Sequence, residues 1–425
     1  MSTDPAFPRL HGRPPAGWIN DPNGCSYVDG RYHVFFQYNP DSTVHLAIRW
    51  GHMSSTDLVR WRAEPVALTN RPGELDAYGC WSGCVVDDNG VPTAVYSAVA
   101  DASHRSAVVL ARGDRSMTTW TQDRKPVATT PDDPHITHVR DPFVFEAFGR
   151  RYAILGAGHT ERGGRILVYG CDDLTSWTPL GALLTSDNPV AAEIAPANIW
   201  ECPNIVRIGD RWVMILSLWR RPGPDEPRHL AGVRYLVGDL TLGRDGPRFD
   251  PASGGGLDDG PCFYAPQILS HDGRTLMWGW AWERGRTAEE IARAGWAGVL
   301  TFCRELSLSG NVLSSRPVPE LDGLRREPLP VRSGEPFAAT AFDCVLPPHS
   351  QRVSLWRVDG AREHLVAERC IPPSQLTPPR IMVDGSLVEI FDGGPTAYTT
   401  RAYPTVDSRW LIRLATPGPI RAWRL

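Results

Sequence analysis

The sequence predicts an all-β protein, a five-bladed β-propeller followed by a small C-terminal β-sandwich. Five similar segments each read as a short apolar strand, a tight turn and a second apolar strand. Their turn glycines recur at intervals of 60, 59, 60 and 64 residues, and they are Gly30, Gly90, Gly149, Gly209 and Gly273. Helix signals are scarce, and the repeat stops near Leu308.

Each repeat of about 60 residues has room for four strands, which is the size of a propeller blade. A propeller leaves a central funnel into which the innermost strands of all blades point. The segments that we expect to supply the inner strands are 21–37, 81–97, 140–156, 201–217 and 264–280.

The domain bounds follow from where the repeat stops. We predict the propeller over residues 1–313, a Pro- and Arg-rich linker over 314–336 and the β-sandwich over 337–425. The pair Asp384-Gly385 predicts a hairpin in the sandwich. Thr287 and Glu290 have the spacing of a capping box, which predicts one short helix to about Ala294 inside the fifth repeat.

Composition limits the classes of function. The 425 residues carry 44 basic and 48 acidic side chains, a net charge of −4, and no long basic run, so we expect no nucleic-acid surface. No stretch reaches the roughly 18 apolar residues of a membrane span. Residues 1–10 lack the apolar core of a signal peptide. We therefore expect no membrane partner and a cytoplasmic location.

Cysteines and histidines give no metal-binding pattern. Cys80 and Cys84 lie four residues apart and His135 and His138 three apart, but no second pair follows either at zinc-like spacing. We predict no metal and no cofactor, and a stoichiometric metal in the purified protein would contradict this. The nine cysteines are odd in number and lie mostly in apolar strands, which predicts buried thiols in a reducing compartment.

Carboxylates stand at nearly the same place in three of the five repeats. Asp141 and Glu201 each lie eight residues before their turn glycine, and Asp21 lies nine before its own. Because equivalent positions of different blades converge on the funnel, we expect the three side chains to meet there. Carboxylates that merely cap turns are the ordinary alternative, but Asp141 and Glu201 stand at the entry to apolar strands.

A ring of carboxylates in an aromatic-lined funnel fits glycoside hydrolysis. That reaction needs one carboxylate as nucleophile and one protonated carboxylic acid for the leaving oxygen. Like charges held close together raise the pKa of one group, which can then serve as the acid. The tryptophans that we expect to offer flat faces for sugar stacking are Trp18, Trp50, Trp81, Trp200 and Trp280.

Three motifs occur in order along the chain: Trp-Ile-Asn-Asp-Pro-Asn-Gly at 18–24, Arg-Asp-Pro at 140–142 and Trp-Glu-Cys-Pro at 200–203. Further strings are Phe-Phe-Gln-Tyr-Asn-Pro at 35–40, Trp-Gly-His at 50–52, Trp-Ser-Gly at 81–83, Phe-Tyr-Ala-Pro-Gln at 263–267 and Val-Asp-Gly-Ser-Leu-Val-Glu-Ile-Phe at 383–391. Together they resemble glycoside hydrolase family 32, the β-fructofuranosidases. The resemblance spans nearly the whole chain and implies a five-bladed propeller with a β-sandwich.

The resemblance implies a retaining hydrolase of terminal β-D-fructofuranosides, such as sucrose or short fructo-oligosaccharides. It implies that Asp21 is the nucleophile, that Glu201 is the acid/base, and that Asp141 is the transition-state stabiliser. A retaining mechanism needs the two reactive carboxyls roughly 5–5.5 Å apart. We also expect Arg140 to keep Asp141 ionised by charge pairing, and Cys202 to tune the environment of Glu201.

The resemblance also implies a fructose subsite lined by Asn20, Gln37, Trp50 and Trp81. The predicted substrate-binding set is completed by Ser82, Arg140, Cys202, Tyr264 and Trp280. The chain departs from the family pattern at His45-Leu46-Ala47, where Trp-Gly-Asn is frequent, so its contacts to the leaving group should differ. Asn204 stands where Asp is common, and the sandwich is shorter than usual.

Other functions remain open at this point. A fructosyltransferase would give transfer products at high sucrose, and a hydrolase of sucrose 6-phosphate could use Arg49 to contact the phosphate. An unusual fructoside is a further candidate substrate. A non-catalytic carbohydrate-binding propeller is disfavoured because all three carboxylates are present. Arabinan- and xylan-cleaving propellers also use three carboxylates, but the complete string at 18–24 argues against them. The oligomeric state, linkage preference and pH optimum stay open.

Overall fold

The computed structural model describes residues 3–221, 229–371 and 377–425, and in these ranges the chain is built mainly of β-strands. The all-β prediction is confirmed. The helices of these ranges are two short α-helices, Pro189–Ile194 and Ala288–Ala294, and a 3-10 helix, Pro319–Leu324. Thr287 caps the second α-helix through the predicted capping box, whereas the first was not predicted. None of the described helices is long and apolar enough to cross a membrane.

Each repeat folds as an antiparallel group of strands that begins with the predicted hairpin. The first group comprises β1 (Gly17–Val28), β2 (Arg31–Asn39), β3 (Arg49–Ser55) and β4 (Arg62–Ala63). The second comprises β5 (Gly79–Asp88), β6 (Val91–Val99), β7 (Ser106–Gly113), β8 (Trp120–Gln122) and β9 (Ala128–Thr129).

The third and fourth groups join into one sheet through the pair Gly158 and Ile199. The third comprises β10 (Ile136–Ala147), β11 (Arg150–His159), β12 (Gly163–Gly170) and β13 (Thr178–Thr185). The fourth comprises β14 (Ile199–Ile208), β15 (Arg211–Arg220), β16 (His229–Gly243) and β17 (Gly246–Gly256).

The fifth group returns to the first. It comprises β18 (Phe263–His271), β19 (Arg274–Ala281), β21 (Val299–Leu300), β22 (Arg304–Ser309) and β23 (Val312–Pro317), and β20 (Trp296–Ala297) lies between its second and third strands in sequence. Strand β20 pairs in parallel with β1, at Gly17 and Trp18. The last repeat is thereby hydrogen-bonded to the start of the first.

Two further sheets form the C-terminal part and share one hydrophobic core. One contains β24 (Ala341–Val345), β27 (Arg380–Asp384), β28 (Leu387–Phe391), β29 (Ala397–Arg401) and β31 (Arg421–Arg424), and the other contains β25 (Arg352–Asp359), β26 (Arg362–Cys370) and β30 (Arg409–Leu414). Phe342 and Trp410 pack edge to face at the centre of this core. The predicted hairpin of β27 and β28 is confirmed, but its turn residues are Gly385 and Ser386, since Asp384 pairs with Leu387.

The hairpin turns explain the glycine spacing. In the first repeat Asp29 and Gly30 occupy the two turn positions with φ of +46° and +79°, which is the conformation of a type I′ turn. Gly149 is likewise the second residue of its turn, whereas Gly209 is the first residue of its own. In the fourth repeat, counting back from the turn glycine therefore reaches a strand position one residue away from the position that the same count reaches in the first and third repeats.

A buried ionic cluster joins the repeats to the C-terminal sheets. The guanidinium of Arg304, fully buried, donates to Asp258 at 2.7 Å, to Glu389 at 2.7 and 3.1 Å and to Thr399 at 2.6 Å. His11 adds a ring nitrogen 3.4 Å from Glu389. Because every charged member of this cluster has a partner, the ion pairs can lie in the protein interior without an isolated charge.

Candidate active site

The first strand of each repeat places two consecutive residues at or next to one site. In the second to fifth repeats the first residue of the pair precedes a β-bulge and the second lies in it, whereas in the first repeat Ile19 precedes the bulge and both residues of the pair lie in it. The first residues are Asn20, Trp81, Arg140, Glu201 and Tyr264, and the second are Asp21, Ser82, Asp141, Cys202 and Ala265. A bulge re-aims side chains, so both members of the pair line the site in the first, third and fourth repeats, whereas Ser82 and Ala265 do not line it.

The glycine count placed Asp141 and Glu201 at equivalent positions, and this is wrong by one residue. Glu201 pairs with Ser217 before its bulge, just as Arg140 pairs with Gly156. Asp141 is therefore equivalent to Cys202. The reason is the offset turn of the fourth repeat, in which the glycine comes first.

These side chains surround a cavity of about 350 Å³. Ten of the twelve predicted site residues line it: Asn20, Asp21, Gln37, Trp81, Arg140, Asp141, Glu201, Cys202, Tyr264 and Trp280. Trp18 also lines the cavity and meets Trp280 edge to face at 5.7 Å between ring centroids. The structure thus brings the three predicted carboxylates together in one aromatic-walled cavity.

Asp21 is held by two donors on one oxygen. Its Oδ2 accepts from the Gln37 amide at 3.0 Å and from the Ser82 hydroxyl at 2.7 Å. Burial raises the pKa of Asp21, and the charge of Glu201 adds to the rise while the bond from Ser82 opposes it. Ser82 lies behind the cavity wall and acts on the site through this hydrogen bond.

Both oxygens of Glu201 have partners. Oε1 accepts from Nε and Nη2 of Arg140 at 3.1 and 2.6 Å, and Oε2 accepts from the Tyr264 hydroxyl at 2.6 Å. The side chain is 13% exposed, so it reaches the cavity while its carboxyl is fixed in direction.

The expected pairing of Arg140 with Asp141 needs correction. The guanidinium lies 3.9 Å from Oδ2 of Asp141, farther than from Glu201, because the two carboxylates lie on different strands and the fork faces Glu201. Burial raises the pKa of Asp141 to about 7 although Arg140 opposes the rise. Arg140 therefore limits the rise but does not hold the pKa of Asp141 low.

Cys202 contacts the other two carboxylates rather than Glu201 alone. Its backbone N–H donates to Oδ2 of Asp141 at 2.9 Å. Its Sγ lies 3.5 Å from the same oxygen and 3.6 Å from Oδ2 of Asp21. Burial and the surrounding carboxylates hold the pKa of the thiol well above its ordinary value, so it stays protonated as a weak donor between two acids.

Two predicted tryptophans lie outside the cavity wall. Trp50 is fully buried, and its indole N–H donates to the carbonyl of Trp81 at 3.1 Å. Trp200 is also fully buried and donates to the carbonyl of Ala195 at 2.8 Å. Trp50 comes from the third strand of its group, so it supports Trp81 from behind. Its prediction as a lining residue is wrong.

The departure at Asn204 has a structural consequence. Its amide group donates to the carbonyls of Cys202 and Pro266, both at 2.9 Å, and its Oδ1 accepts from the N–H of Ile268 at 3.1 Å. An aspartate could not donate to two carbonyls. Asn204 therefore ties the bulge of the fourth repeat to the first strand of the fifth.

Five lining residues were not predicted as site residues: His45, His104, His138, Trp219 and Leu230. Nε2 of His45 lies 3.0 Å from Oε1 of Gln37, so this histidine contacts the amide that donates to Asp21. The only sequence signal for His45 was that it stands where the family often has Trp-Gly-Asn. The other four do not occupy either of the two equivalent positions that each first strand places at the site. The repeat therefore gave no reason to predict them as site residues.

Arg49 does not line the cavity, since its guanidinium is paired with Asp41 at 2.8 Å and its Nε donates to Asn70 at 3.3 Å. The nine cysteines are free, and seven of them are buried. Across the described ranges, the His, Cys, Asp and Glu side chains form no group of three that could hold a metal ion.

Comparison with known proteins decides the family. A model of the glycosyl hydrolases family 32 N-terminal domain matches residues 11–317, and a model of the family 32 C-terminal domain matches residues 379–416. The chain belongs to glycosyl hydrolase family 32. This family 32 protein is therefore a glycosidase, as the sequence predicted.

Relatives and solved structures agree with the family. A sucrose-6-phosphate hydrolase of Escherichia coli is 31% identical over 97% of this chain and 92% of the relative. A raffinose invertase of Escherichia coli is 32% identical over the same shares. The GH32 β-fructofuranosidase of Bombyx mori superposes with a TM-score of 0.82 at 25% identity, covering 99% of this chain and 94% of that one. A mutant of that enzyme in complex with sucrose gives 0.83, with the same identity and coverage.

Proposed function

We propose that the protein is a retaining β-fructofuranosidase that cleaves terminal β-D-fructofuranosides, with sucrose or short fructo-oligosaccharides as substrates. The observation that carries the proposal is the constellation of Asp21, Asp141 and Glu201, each in or directly before the bulge of a different repeat and all lining one cavity. The sucrose complex of the Bombyx mori enzyme and the names of the bacterial relatives support a small carbohydrate substrate.

Asp21 is the nucleophile in this proposal. Its carboxylate attacks the anomeric carbon of the terminal fructose, the bond to the leaving oxygen breaks, and a covalent fructosyl ester forms. The amide of Gln37 and the hydroxyl of Ser82 fix the direction of the carboxylate. Orientation of this kind lowers the barrier because the reacting atoms meet without a further loss of freedom.

Glu201 is the acid and then the base. It gives its proton to the leaving oxygen as the glycosidic bond breaks, and it later takes a proton from the water that attacks the fructosyl ester. That second attack frees fructose and returns Asp21 as a carboxylate. Arg140 and Tyr264 hold the two oxygens of Glu201 throughout.

Asp141 stabilises the transition state. It does not react, but as a carboxylate it accepts hydrogen bonds from fructose hydroxyls that strengthen as positive charge develops on the sugar. The role requires its ionised form, so the burial that raises its pKa matters for the acid side of the activity profile.

The leaving group and the acceptor distinguish the candidate substrates and reactions. Sucrose 6-phosphate is the second candidate substrate because relatives carry that name. Arg49, the residue suggested for the phosphate, lies outside the cavity wall and is paired with Asp41, which favours a leaving group without a phosphate at that point. A fructosyltransferase would use the same intermediate with a sugar in place of water.

We also propose that the five strand groups are the blades of a five-bladed propeller that ends with β23 at Pro317, past the predicted bound of 313, and that a linker up to residue 336 joins it to a β-sandwich at 337–425. The five equivalent first strands around one cavity and the pairing of β20 with β1 support this arrangement. The cytoplasmic location stays a prediction that cell fractionation would test.

The test measures release of fructose from sucrose, sucrose 6-phosphate, inulin and levan by the wild type and by Asp21→Asn and Glu201→Gln. We expect Glu201→Gln to lower kcat on sucrose by roughly 10²–10⁴-fold. Glu193→Gln, an exposed carboxyl on the first helix, is the matched control and should be unaffected. NMR of the first turnovers should show the β anomer of fructofuranose, since retention keeps the configuration.

Activity in both carboxylate variants equal to that of the wild type would refute the assigned roles. First release of the α anomer would refute the retaining mechanism. Transfer products that exceed free fructose at high sucrose would assign the chain to the fructosyltransferases.

A further inference from the structure

The mouth of the cavity is lined by side chains that the proposed chemistry leaves without a role. Asp141 is 5% exposed, whereas His104, His138 and Trp219 line the same cavity and are partly exposed, as are Asp21 and Glu201. A terminal fructose must enter far enough to reach Asp21. The remainder of the substrate, which is the leaving group, must then lie against the mouth.

Two of these mouth residues have a left-handed backbone. His104 has φ of +58° and His138 has φ of +53°, in a region that only a few per cent of non-glycine residues adopt, histidine more often than most. Residues persist in that region when their surroundings fix them, and they concentrate at ligand sites. His104 lies between β6 and β7, and His138 lies in β10, so two separate repeats present an imidazole in this way.

Aromatic neighbours fix both imidazoles in place. The ring of His104 lies 5.1 Å from that of Trp81 and 5.5 Å from that of Tyr78, between centroids. The ring of His138 lies 5.6 Å from that of Trp219. Each imidazole is therefore held as part of the cavity wall rather than as a free surface side chain.

We propose that His104 and His138 form the leaving-group subsite of this enzyme and determine its specificity on that side of the bond. A ring nitrogen of an imidazole can donate to or accept from a sugar hydroxyl, and the neighbouring indole of Trp219 has a flat apolar face. The subsite would take a neutral hexosyl group rich in hydroxyls. The inference rests on the proposed function, because it presupposes a fructoside bound at Asp21.

The experiment compares two substrates with the same fructosyl part. Sucrose presents a hexosyl leaving group, whereas methyl β-D-fructofuranoside presents only a methoxy group that cannot reach the mouth. The variants are His104→Asn and His138→Asn, since asparagine tolerates the left-handed backbone. His349→Asn is the matched control, because His349 has φ of +66° and does not line the cavity. Thermal melts would check that each variant folds.

We expect each mouth variant to lower kcat/KM on sucrose by roughly three- to tenfold, mainly through KM, as for the loss of one or two hydrogen bonds to uncharged groups. Both rates of His349→Asn should stay at wild-type values, and each mouth variant should lose clearly less on the methyl fructoside than on sucrose. Unchanged sucrose kinetics, or equal losses on the two substrates, would overturn the inference. A wild type inert on both substrates would overturn the proposed function and this inference with it.

Discussion

Replacing Arg140 by Gln should move the acid limb of the kcat/KM profile to higher pH. In the proposed mechanism Asp141 acts in its ionised form, so activity is lost as the pH falls through its pKa. Burial raises that pKa to about 7, and the charge of Arg140 opposes the rise. Without the guanidinium, the carboxyl keeps its proton to a higher pH and the acid limb follows it.

The size of the shift follows from one distance. Nε of Arg140 lies 3.9 Å from Oδ2 of Asp141. Two unit charges at that separation interact by roughly 4 kcal/mol at an effective dielectric constant of about 20, which corresponds to about three pKa units. The same guanidinium is shared with Glu201 at 2.6 Å. We therefore expect a shift of roughly one to three units.

The assay is the initial rate of sucrose cleavage across the acid and neutral range. The maximal rate of Arg140→Gln will also fall, because the variant loses both hydrogen bonds to Glu201. The quantity to compare is therefore the pH at which the acid limb of the kcat/KM profile lies. Arg140→Lys keeps the charge but not the planar fork, and should lower the rate with the limb close to that of the wild type. A limb that stays in place in Arg140→Gln, or moves equally in Arg140→Lys, would refute the reasoning.

Three further results are expected. Tyr264→Phe removes the hydroxyl 2.6 Å from Glu201 and should lower kcat roughly tenfold with KM almost unchanged; steady-state kinetics that show a change in KM alone would contradict this. Ser82→Ala removes the 2.7 Å donor to Asp21 and should lower kcat/KM on sucrose roughly tenfold, so wild-type kinetics would exclude its positioning role. Arg304→Met leaves buried carboxylates unpaired and should lower the free energy of unfolding by roughly 3–5 kcal/mol in a urea titration, and an equal or higher stability would show that the cluster is dispensable.

Local signals made the repeat predictable. A two-residue turn such as Asp29-Gly30 demands positive φ at both positions, so its residue types stand out between two apolar strands. The spacing of a capping box located the helix that follows Thr287, and the pair Asp384-Gly385 located the hairpin of β27 and β28 to within one residue. Because the first strand of a repeat runs from the cavity to the turn, the distance back from a turn also located the carboxylates to within one residue.

Side-chain direction was less predictable. The sequence cannot show that Arg140 turns its fork toward Glu201, because that depends on bulges in two different strands. Trp50 belongs to a motif of the family, yet its ring packs behind Trp81 since it comes from a third strand. His104 occupies a loop between strands, where spacing from the turn carries no information.

The bulges themselves are held by contacts between repeats. The proline that follows Asp141 or Cys202 cannot donate to the ladder, so a bulge is the place in a strand where it is tolerated. The N–H of Asp141 donates to Ser97 of the preceding repeat at 2.8 Å, and the N–H of Cys202 donates to Asp141 itself at 2.9 Å. The N–H of Ala265 donates to Ser217 in the same way, at 3.1 Å. In these three repeats the bulge backbone is therefore fixed by the preceding repeat, so the direction of Asp141 depends on contacts between repeats rather than on its own strand alone.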